Sequence, residues 1–538
     1  MNRISPEKLS VLSELVVRKP QEALTLLRQY EREFEGDLNL ALNRGGVLVD
    51  IGANLNRTDL VQEGIKVIEG ILDQLDDERP GLFYNLANGH SELANLERRQ
   101  KGEEYRFDPD VTPLVRAKYC YRQSLAGKEQ LSIDLRAQLW VNYGNCLSSL
   151  GRAVEAISAY DRALQLSPEH PMAKGNLGIE LHHFARIAEH AVFLLDARGM
   201  LTEALSHERL ENFSTRARHH FQSTRHRIDQ MLSKLGIDPN AQIGYETPVF
   251  SSEYQRAYVE FCARYQLFLN FCLRCRRCDR YAKDSLTFSL ITDIDDKTSF
   301  IRLTRVTNEI KERFAFARLL LFQSLHPILD TVPFDETTNY VDNLDYAVYG
   351  VRVASLKLAF EGAYNILDKI AHFVNDYLEL GIKPGPKLTF TTNGWVWHEK
   401  GGAVLRHEML ELSNWYLFGL YDLARDLDID QRRPERDGHW GRLRRIRNAL
   451  THEYLIPHVE GMHWAIEADG PASHLYHRDL VEQTISLLQL VRAAIIYLIA
   501  FIDQEERKKR QASNDFIAPT SVNRYDAALF TPALDSWD

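Results

Sequence analysis

The sequence predicts an all-α protein, and three observations predict it. Only 18 Pro and 29 Gly punctuate 538 residues, too few for a turn-rich β architecture. Apolar residues recur at helical spacing, most plainly at Leu356, Phe360, Ala363, Leu367, Ile370, Val374 and Tyr377. One 34-residue stretch, Ala137–His170, has the pattern of a paired-helix repeat.

Composition sets the outer limits. The chain is 44% hydrophobic, 26% charged and 10% aromatic, which excludes wholesale disorder and collagen-like or mucin-like chains. At ~100–200 residues per domain, its length suggests three or four domains. A net charge of −10, from 65 basic and 75 acidic residues, excludes a protein that coats DNA along its whole surface. Any nucleic-acid contact must be local. Six Cys do not make a disulfide framework, and the start, MNRISPEKLSVL, has no apolar leader. A reduced, cytoplasmic chain is expected. The longest late apolar run, Ala493–Ile502, is too short to span a bilayer, so it reads as a buried core helix, with no membrane partner.

Residues 1–200 are expected to form a solenoid. Ala137–His170 places Trp140, Gly144, Ala156, Tyr160, Ala163 and Pro168 at the spacings of a tetratricopeptide repeat, and resembles that family. Small Gly144 and Ala156 let two antiparallel helices approach, Tyr160 fills the gap between repeats, and Pro168 ends the second helix. Met172–Leu181 begins a following repeat. Upstream, Asn85–Ala87 with His90 suits a first helix and Ala117, Tyr121 and Ser124 a second, with a polar insertion at Arg98–Thr112 between them. Ala41–Leu72 and Glu7–Phe34 read as more degenerate hairpins. The competing reading is a generic helical bundle with one fortuitous match.

Residues 201–335 read as a helical middle region without the repeat. Phe261–Lys283 and Leu303–Leu325 are its long helical stretches, and the Pro-containing His326–Tyr340 is a linker. Residues 336–510 read as a bundle of four helices: Val353–Leu380, Val404–Leu427, Trp440–Leu455 and Asp479–Gln504. Gly381–Pro386 stops the first, and Leu388–Gly402 suggests a hairpin or ordered loop. The polar tail, residues 511–538, is expected to order only on a partner.

Chemistry concentrates in Gln431–Tyr454, QRRPERDGHWGRLRRIRNALTHEY. It holds Arg432, Arg433, Arg436, Arg442, Arg444, Arg445 and Arg447 in an otherwise acidic protein. Arg favours bidentate contact with phosphate. The run closes on Arg447, Asn448 and, after three further residues, His452. This R-N-x-x-x-H string, late on a helix of a helical bundle, resembles the active-site motif of the HEPN superfamily (higher eukaryotes and prokaryotes nucleotide-binding domains). The resemblance covers roughly residues 340–510. Many members are metal-independent ribonucleases, commonly dimers that place two such motifs at a shared cleft. The resemblance therefore implies a homodimer. The pairing of tetratricopeptide repeats with such a domain resembles bacterial proteins linked to phage defence.

The residues carry the same chemistry on their own account. His452 is of a type that titrates near neutrality and can act as general base or acid on the sugar oxygens. Arg447 can hold the non-bridging phosphate oxygens, and Asn448 can orient the phosphate or the histidine. No metal or other cofactor is required. Arg442, Arg444 and Arg445 are candidates for RNA binding. Residues five apart on a straight helix sit ~140° apart. Either the long Arg447 reaches around, or the helix ends near His452, or two protomers contribute.

The expected function is a metal-independent endoribonuclease acting on single-stranded or tRNA-like RNA, in phage defence or as a toxin. The solenoid would bind a protein or peptide and restrain the enzyme. The alternative is a non-catalytic interaction protein whose bundle dimerises or binds RNA, with Arg447 and His452 merely favouring a helix C-terminus as cations.

Other candidates are weaker. Cys272, Cys275 and Cys278, with Cys262 before them, lie on one expected helix and lack a second ligand pair, with His219 and His220 remote. His452-Glu453 fails as a zinc-protease motif because Ile456 occupies the second histidine position. There is no P-loop, G-x-G-x-x-G or G-x-S-x-G. Glu361 and Asp368 suit a solvated helix face, and Trp395, Trp397 and Trp415 suit core packing better than base stacking.

Overall fold

A computed structural model describes the chain apart from residues 1–3, 35–36, 73–79, 102–111, 189–190, 209–214, 242–248, 275–280, 292–296, 343, 400–404, 429–439, 461–471 and 514–538. The protein is all-α.

The first ten helices fold back on one another in sequence order. They are α1 (Pro6–Arg18), α2 (Pro20–Gln29), α3 (Leu38–Leu55), α4 (Thr58–Leu72), α5 (Pro80–Lys101), α6 (Thr112–Ala126), α7 (Ile133–Ser149), α8 (Ala153–Leu166), α9 (Pro171–Ala188) and α10 (Ala191–Ser206). Each odd-numbered helix packs on the next, and each hairpin packs on the one after it. Capping is local: the side chains of Ser5, Asp37 and Ser132 accept backbone N–H bonds at the starts of α1, α3 and α7. Gly144 of α7 lies against the ring of Tyr160 of α8, so a side chain there would collide with it. The Tyr160 hydroxyl donates to Asn145 Oδ1 at 2.9 Å. α8 stops at Leu166, two residues before Pro168. Of the polar insertion at Arg98–Thr112, residues 102–111 lie outside the described residues, and α5 continues to Lys101.

The middle of the chain holds α11 (Thr215–Lys234) and α12 (Glu253–Arg264). The helix expected over Phe261–Lys283 does not form. α12 ends at Arg264, and Gln266 takes a left-handed conformation with φ of 55°. The following loop is held by side chains. Asn270 Nδ2 donates to the carbonyls of Tyr281 and Lys283, each at 3.0 Å, and Asp284 accepts from Leu269 N at 2.7 Å. Arg318 closes on Asp284 by two bonds of 2.9 Å. These contacts satisfy backbone groups that a helix would otherwise have paired.

The C-terminal part comprises α13 (Lys297–Leu325), α14 (Val332–Asp335), α15 (Val351–Tyr377), α16 (His407–Leu412), α17 (Trp415–Asp426), α18 (Gly441–His452), β1 (Tyr454–His458), β2 (Ala472–Tyr476) and α19 (His477–Ala512). α13 packs along α15 across the short linker, and α19 packs on α13, α15 and α17. Two expectations need correction. Val404–Leu427 is not one helix: Ser413 is left-handed with φ of 45°, and Asn414 caps a new helix by accepting from Tyr416 N and Leu417 N. Trp440–Leu455 stops at His452, because Glu453 is extended and β1 follows to pair in parallel with β2. Of the two alternatives for Leu388–Gly402, the described residues show the ordered loop, with a single bridge from His398 to Leu405. Trp397 there is fully buried and donates to the Phe390 carbonyl at 2.8 Å.

α19 is long and apolar enough, by length and composition, to cross a membrane, and 83% of its most apolar window is buried inside the protein. One apolar core runs from Val141 to Ile502, so the last hairpins, the middle region and the bundle share it. The junction is also ionic. Lys118 Nζ lies 2.6 Å from Asp422 and 2.9 Å from Asp426. Arg122 grips Asp426 by two bonds, of 2.9 and 2.8 Å. Arg152 reaches Asp422 at 3.1 Å and Asp426 at 2.8 Å. Beside this cluster, Gly151 sits at φ of 78° with its α-carbon against the backbone of Trp415 and Gly419. The hydroxyl of Tyr497, on α19, accepts from Val154 N at 3.0 Å and bonds Glu155.

Candidate active site on the last turn of α18

α18 buries Leu443, Ile446 and Ala449 against the bundle, which leaves its other faces to the arginines. Arg444 and Arg447, three apart, share one face. Arg442 and Arg445 share another and are exposed. Arg442 is engaged there by Asp479 at the start of α19, at 3.0 Å. Of the basic run, Arg432, Arg433 and Arg436 lie outside the described residues.

Arg447, Asn448 and His452 come together within one chain. Arg447 Nη1 donates to Asn448 Oδ1 at 3.2 Å and lies 3.5 Å from His452 Nε2. The long guanidinium does reach around, and the helix also ends at His452, so two of the three geometric solutions operate at once. Asn448 therefore orients the arginine. His452 is exposed, and Arg447 and Asn448 are half-buried.

α15 forms the floor beneath them. Lys357, Glu361, Tyr364 and Asp368 recur at helical spacing and face α18. Arg447 stands 5.7 Å from the centre of the Tyr364 ring. Burial pushes the Tyr364 hydroxyl up to about 12. Burial also raises the Glu361 carboxyl against the opposing pull of Lys357 and Arg447, and raises Asp368 against a bond from Phe390 N and the charges of Arg447, His372 and Arg444. Glu361 and Asp368 thus do not sit on a solvated face. Neither closes on Arg447 as an ion pair among the described residues, and Arg447 Nε is buried without a hydrogen-bond partner. The site presents a guanidinium with unspent charge beside an exposed imidazole. Lys357 donates to the Leu455 carbonyl at 2.7 Å, tying α15 to the strand after the motif. The motif search missed Lys357 and Tyr364. Their signal is the spacing to Glu361 and Asp368 on the helix most plainly striped in the sequence.

The segment before α15 lies alongside β1. Val348 N donates to the Pro457 carbonyl at 2.8 Å and Val459 N to the Tyr346 carbonyl at 3.1 Å. This margin exposes the apolar side chains of Leu329, Val332, Phe334, Val341 and Leu344, and Tyr454 is exposed at the start of β1.

The cysteines are elsewhere. Cys262 is buried, and burial pushes its thiol up to about 12. Cys272 lies in the loop after α12 rather than on a helix, and Cys275 and Cys278 lie outside the described residues. Among the described residues no group of three or more His, Cys, Asp or Glu is placed to hold a metal ion.

Comparison with known families bears on the C-terminal part of the chain. Residues 294–505 match the family model described as LA2681-like HEPN. The chain therefore carries a C-terminal HEPN domain, whose matched stretch runs from the start of α13 into α19 and includes the Arg447–His452 turn. A search of curated proteins found no significant match.

Proposed function

We propose that the protein is a metal-independent endoribonuclease whose site is the Arg447–Asn448–His452 turn. The observation that carries this reading is the meeting of the three side chains at the exposed end of α18, with Arg447 held by Asn448 and, among the described residues, by no carboxylate. RNA cleavage of this kind needs a proton taken from the 2′-OH as it attacks phosphorus. It also needs a proton given to the departing 5′-oxygen, and a counter-charge on the non-bridging oxygens. The P–O5′ bond breaks as the new P–O2′ bond forms. The products carry 2′,3′-cyclic phosphate and 5′-OH ends. His452 supplies the proton transfer and Arg447 the counter-charge, through the two parallel N–H donors of its fork. Substrates are single-stranded or tRNA-like RNA, because a base-paired backbone cannot align the 2′-oxygen for in-line attack.

The working unit is a homodimer of the HEPN domain. The exposed apolar side chains of Leu329, Val332 and Phe334 in the segment before α15, with Tyr454 two residues after His452, favour a second copy on that face, which would bring two turns into one cleft. The N-terminal hairpins act as the sensor and take a protein or peptide partner, as their likeness to tetratricopeptide repeats implies. A repressed cytoplasmic enzyme of this design suits phage defence or a toxin. Arg122, Arg152 and Lys118 of the hairpins already grip Asp422 and Asp426 of α17, so sensor and enzyme are mechanically joined.

The test is RNA cleavage in EDTA on total RNA and tRNA, wild type against His452→Ala. Cleavage should fall by about 10²–10⁴-fold, the usual worth of a general acid–base group. Normal cleavage by the variant overturns the mechanism. RNA binding with no cleavage under any condition tried overturns the enzyme in favour of a docking module.

A further inference from the structure

A cavity of about 780 Å³ opens where the hairpins, the loop after α12 and the bundle meet. Its walls come from α7 and α8, from residues between Arg264 and Arg274, from Trp440 at the start of α18 and from α19. It is not the candidate active site. α18 has twelve residues, which at 1.5 Å each puts Trp440 roughly 18 Å from His452.

The charge on these walls is out of balance. Arg162, Arg264, Arg274 and Arg492 line the cavity against two acids, Glu155 and Asp161. Both acids are spent. Glu155 takes Arg152 and Tyr497, and Asp161 takes Arg274 at 2.9 Å. Among the described residues no carboxylate pairs with Arg162, Arg264 or Arg492. Arg492 is the telling member. It is only 3% exposed, and its bonds run to neutral acceptors: the Phe268 carbonyl at 2.6 Å, and the carbonyl and side-chain oxygens of Asn270 at 3.0 and 3.4 Å. A buried guanidinium without a paired anion is costly even when hydrogen-bonded, and an anion arriving from outside would offset that cost.

Two indoles complete the walls. Trp140 is half-buried and carries Arg162 5.4 Å from its ring centre, and Trp440 is also half-buried. Planar guanidinium forks read phosphate oxygens, and indole faces take flat ring systems. The volume suits one small ligand.

We propose that this cavity binds a nucleoside phosphate, its ring on the indole wall and its phosphates against Arg162, Arg264 and Arg492. Occupancy is read by α18. Trp440 N donates to the Asp426 carbonyl at 2.6 Å, and the Asp426 carboxylate is the one held by Arg122 and Arg152. A ligand that moves Trp440 therefore moves the helix bearing Arg447 and the ion cluster of the hairpins together. The binding stands by itself. The regulatory consequence rests on the ribonuclease reading.

The test uses the full chain and calorimetric titration with ATP, GTP, AMP and GMP, with adenosine and pyrophosphate as the two halves. At least one nucleotide should bind wild type and His452→Ala equally. Arg162→Ala with Arg264→Ala, both exposed positions that leave the core intact, should weaken it at least tenfold, and Trp140→Leu should weaken it severalfold. Absence of binding by all four nucleotides, or binding indifferent to the arginine pair, overturns the site. Pyrophosphate binding as tightly as a nucleotide overturns the nucleoside part. Tight binding only by an RNA oligonucleotide makes the cavity a substrate groove instead. A parallel cleavage assay should change at least threefold with the bound nucleotide. Binding with cleavage unchanged overturns the regulation alone, and binding with no cleavage in either state condemns the ribonuclease reading and not the pocket.

Discussion

The junction between hairpins and bundle and the last turn of α18 both rest on arginine, and they use it in opposite ways. At the junction, Arg122 and Arg152 are buried and matched by Asp422 and Asp426 with Lys118 between them. Burial by itself would raise the Asp426 carboxyl, but Arg122, Lys118 and Arg152 hold it well below the usual carboxylate range. On α18, Arg447 has a tyrosine face and an asparagine oxygen and no ion pair among the described residues. An arginine whose charge is fully answered within the chain serves architecture, and one whose charge is left over serves a ligand.

The comparison is broken most severely at Asp426. Asp426→Ala leaves Arg122 without its carboxylate and takes one of two acids from Lys118 and Arg152, and it should cost about 3–5 kcal/mol, seen as a large fall in the denaturation midpoint. If that variant is as stable as wild type, the junction is not held ionically. Gly151→Val comes next. Its left-handed backbone and the carbonyl of Trp415 leave no room for a side chain, so it should cost about 1–3 kcal/mol and expose the hairpin–bundle seam to protease. On α18 the effects should fall on RNA and spare stability. Arg447→Lys keeps the charge and loses the fork, and should cut cleavage about tenfold or more with the midpoint unmoved. Arg444→Ala should weaken RNA binding more than Arg442→Ala, because Arg444 shares Arg447's face while Arg442 is occupied by Asp479.

The smallest effect is a pH dependence of the hairpins. Burial, aided by neighbouring arginines, lowers His90 and His182 to about 4. Between that value and the ordinary ~6.5 the unfolded chain takes up more protons than the folded one. Stability is therefore complete above ~6.5 and declines as pH falls towards 4. His90→Gln should flatten that decline in denaturation midpoints measured across the range.

Much of this was legible in the sequence. Gly144 and Tyr160 announced the α7–α8 hairpin, because a missing side chain and a large ring at fixed spacing have one packing solution. The α15 stripe announced its helix, but Glu361 and Asp368 read as a solvated face, because the sequence does not show which helix packs over them. The trio on α18 was legible as a motif, though the reach of Arg447 around the helix was not. The break at Ser413 was present as a polar pair but masked by apolar periodicity on both sides, which α16 and α17 continue in different directions. The loop after α12 was missed because Asn270 and Asp284 replace helical bonds with side-chain bonds, and no periodicity reports that. The ion cluster was invisible, since Lys118, Arg122 and Arg152 lie some 270 to 304 residues from their partners.

α19 has a consequence for the living cell that concerns timing. It is the last element described, yet Tyr497 on it bonds the start of α8 and its apolar length fills the shared core. While the ribosome is still making residues 477–512, the groove waiting for that helix is open and α18 has not met Asp479. Every copy of the protein therefore passes through an interval in which its most apolar surface is bare and the last turn of α18 has not been set against α19. Synthesis thus imposes a delay between making the residues of the α18 turn and setting them in the bundle, and until α19 is released the bare apolar groove is the kind of surface that chaperones cover.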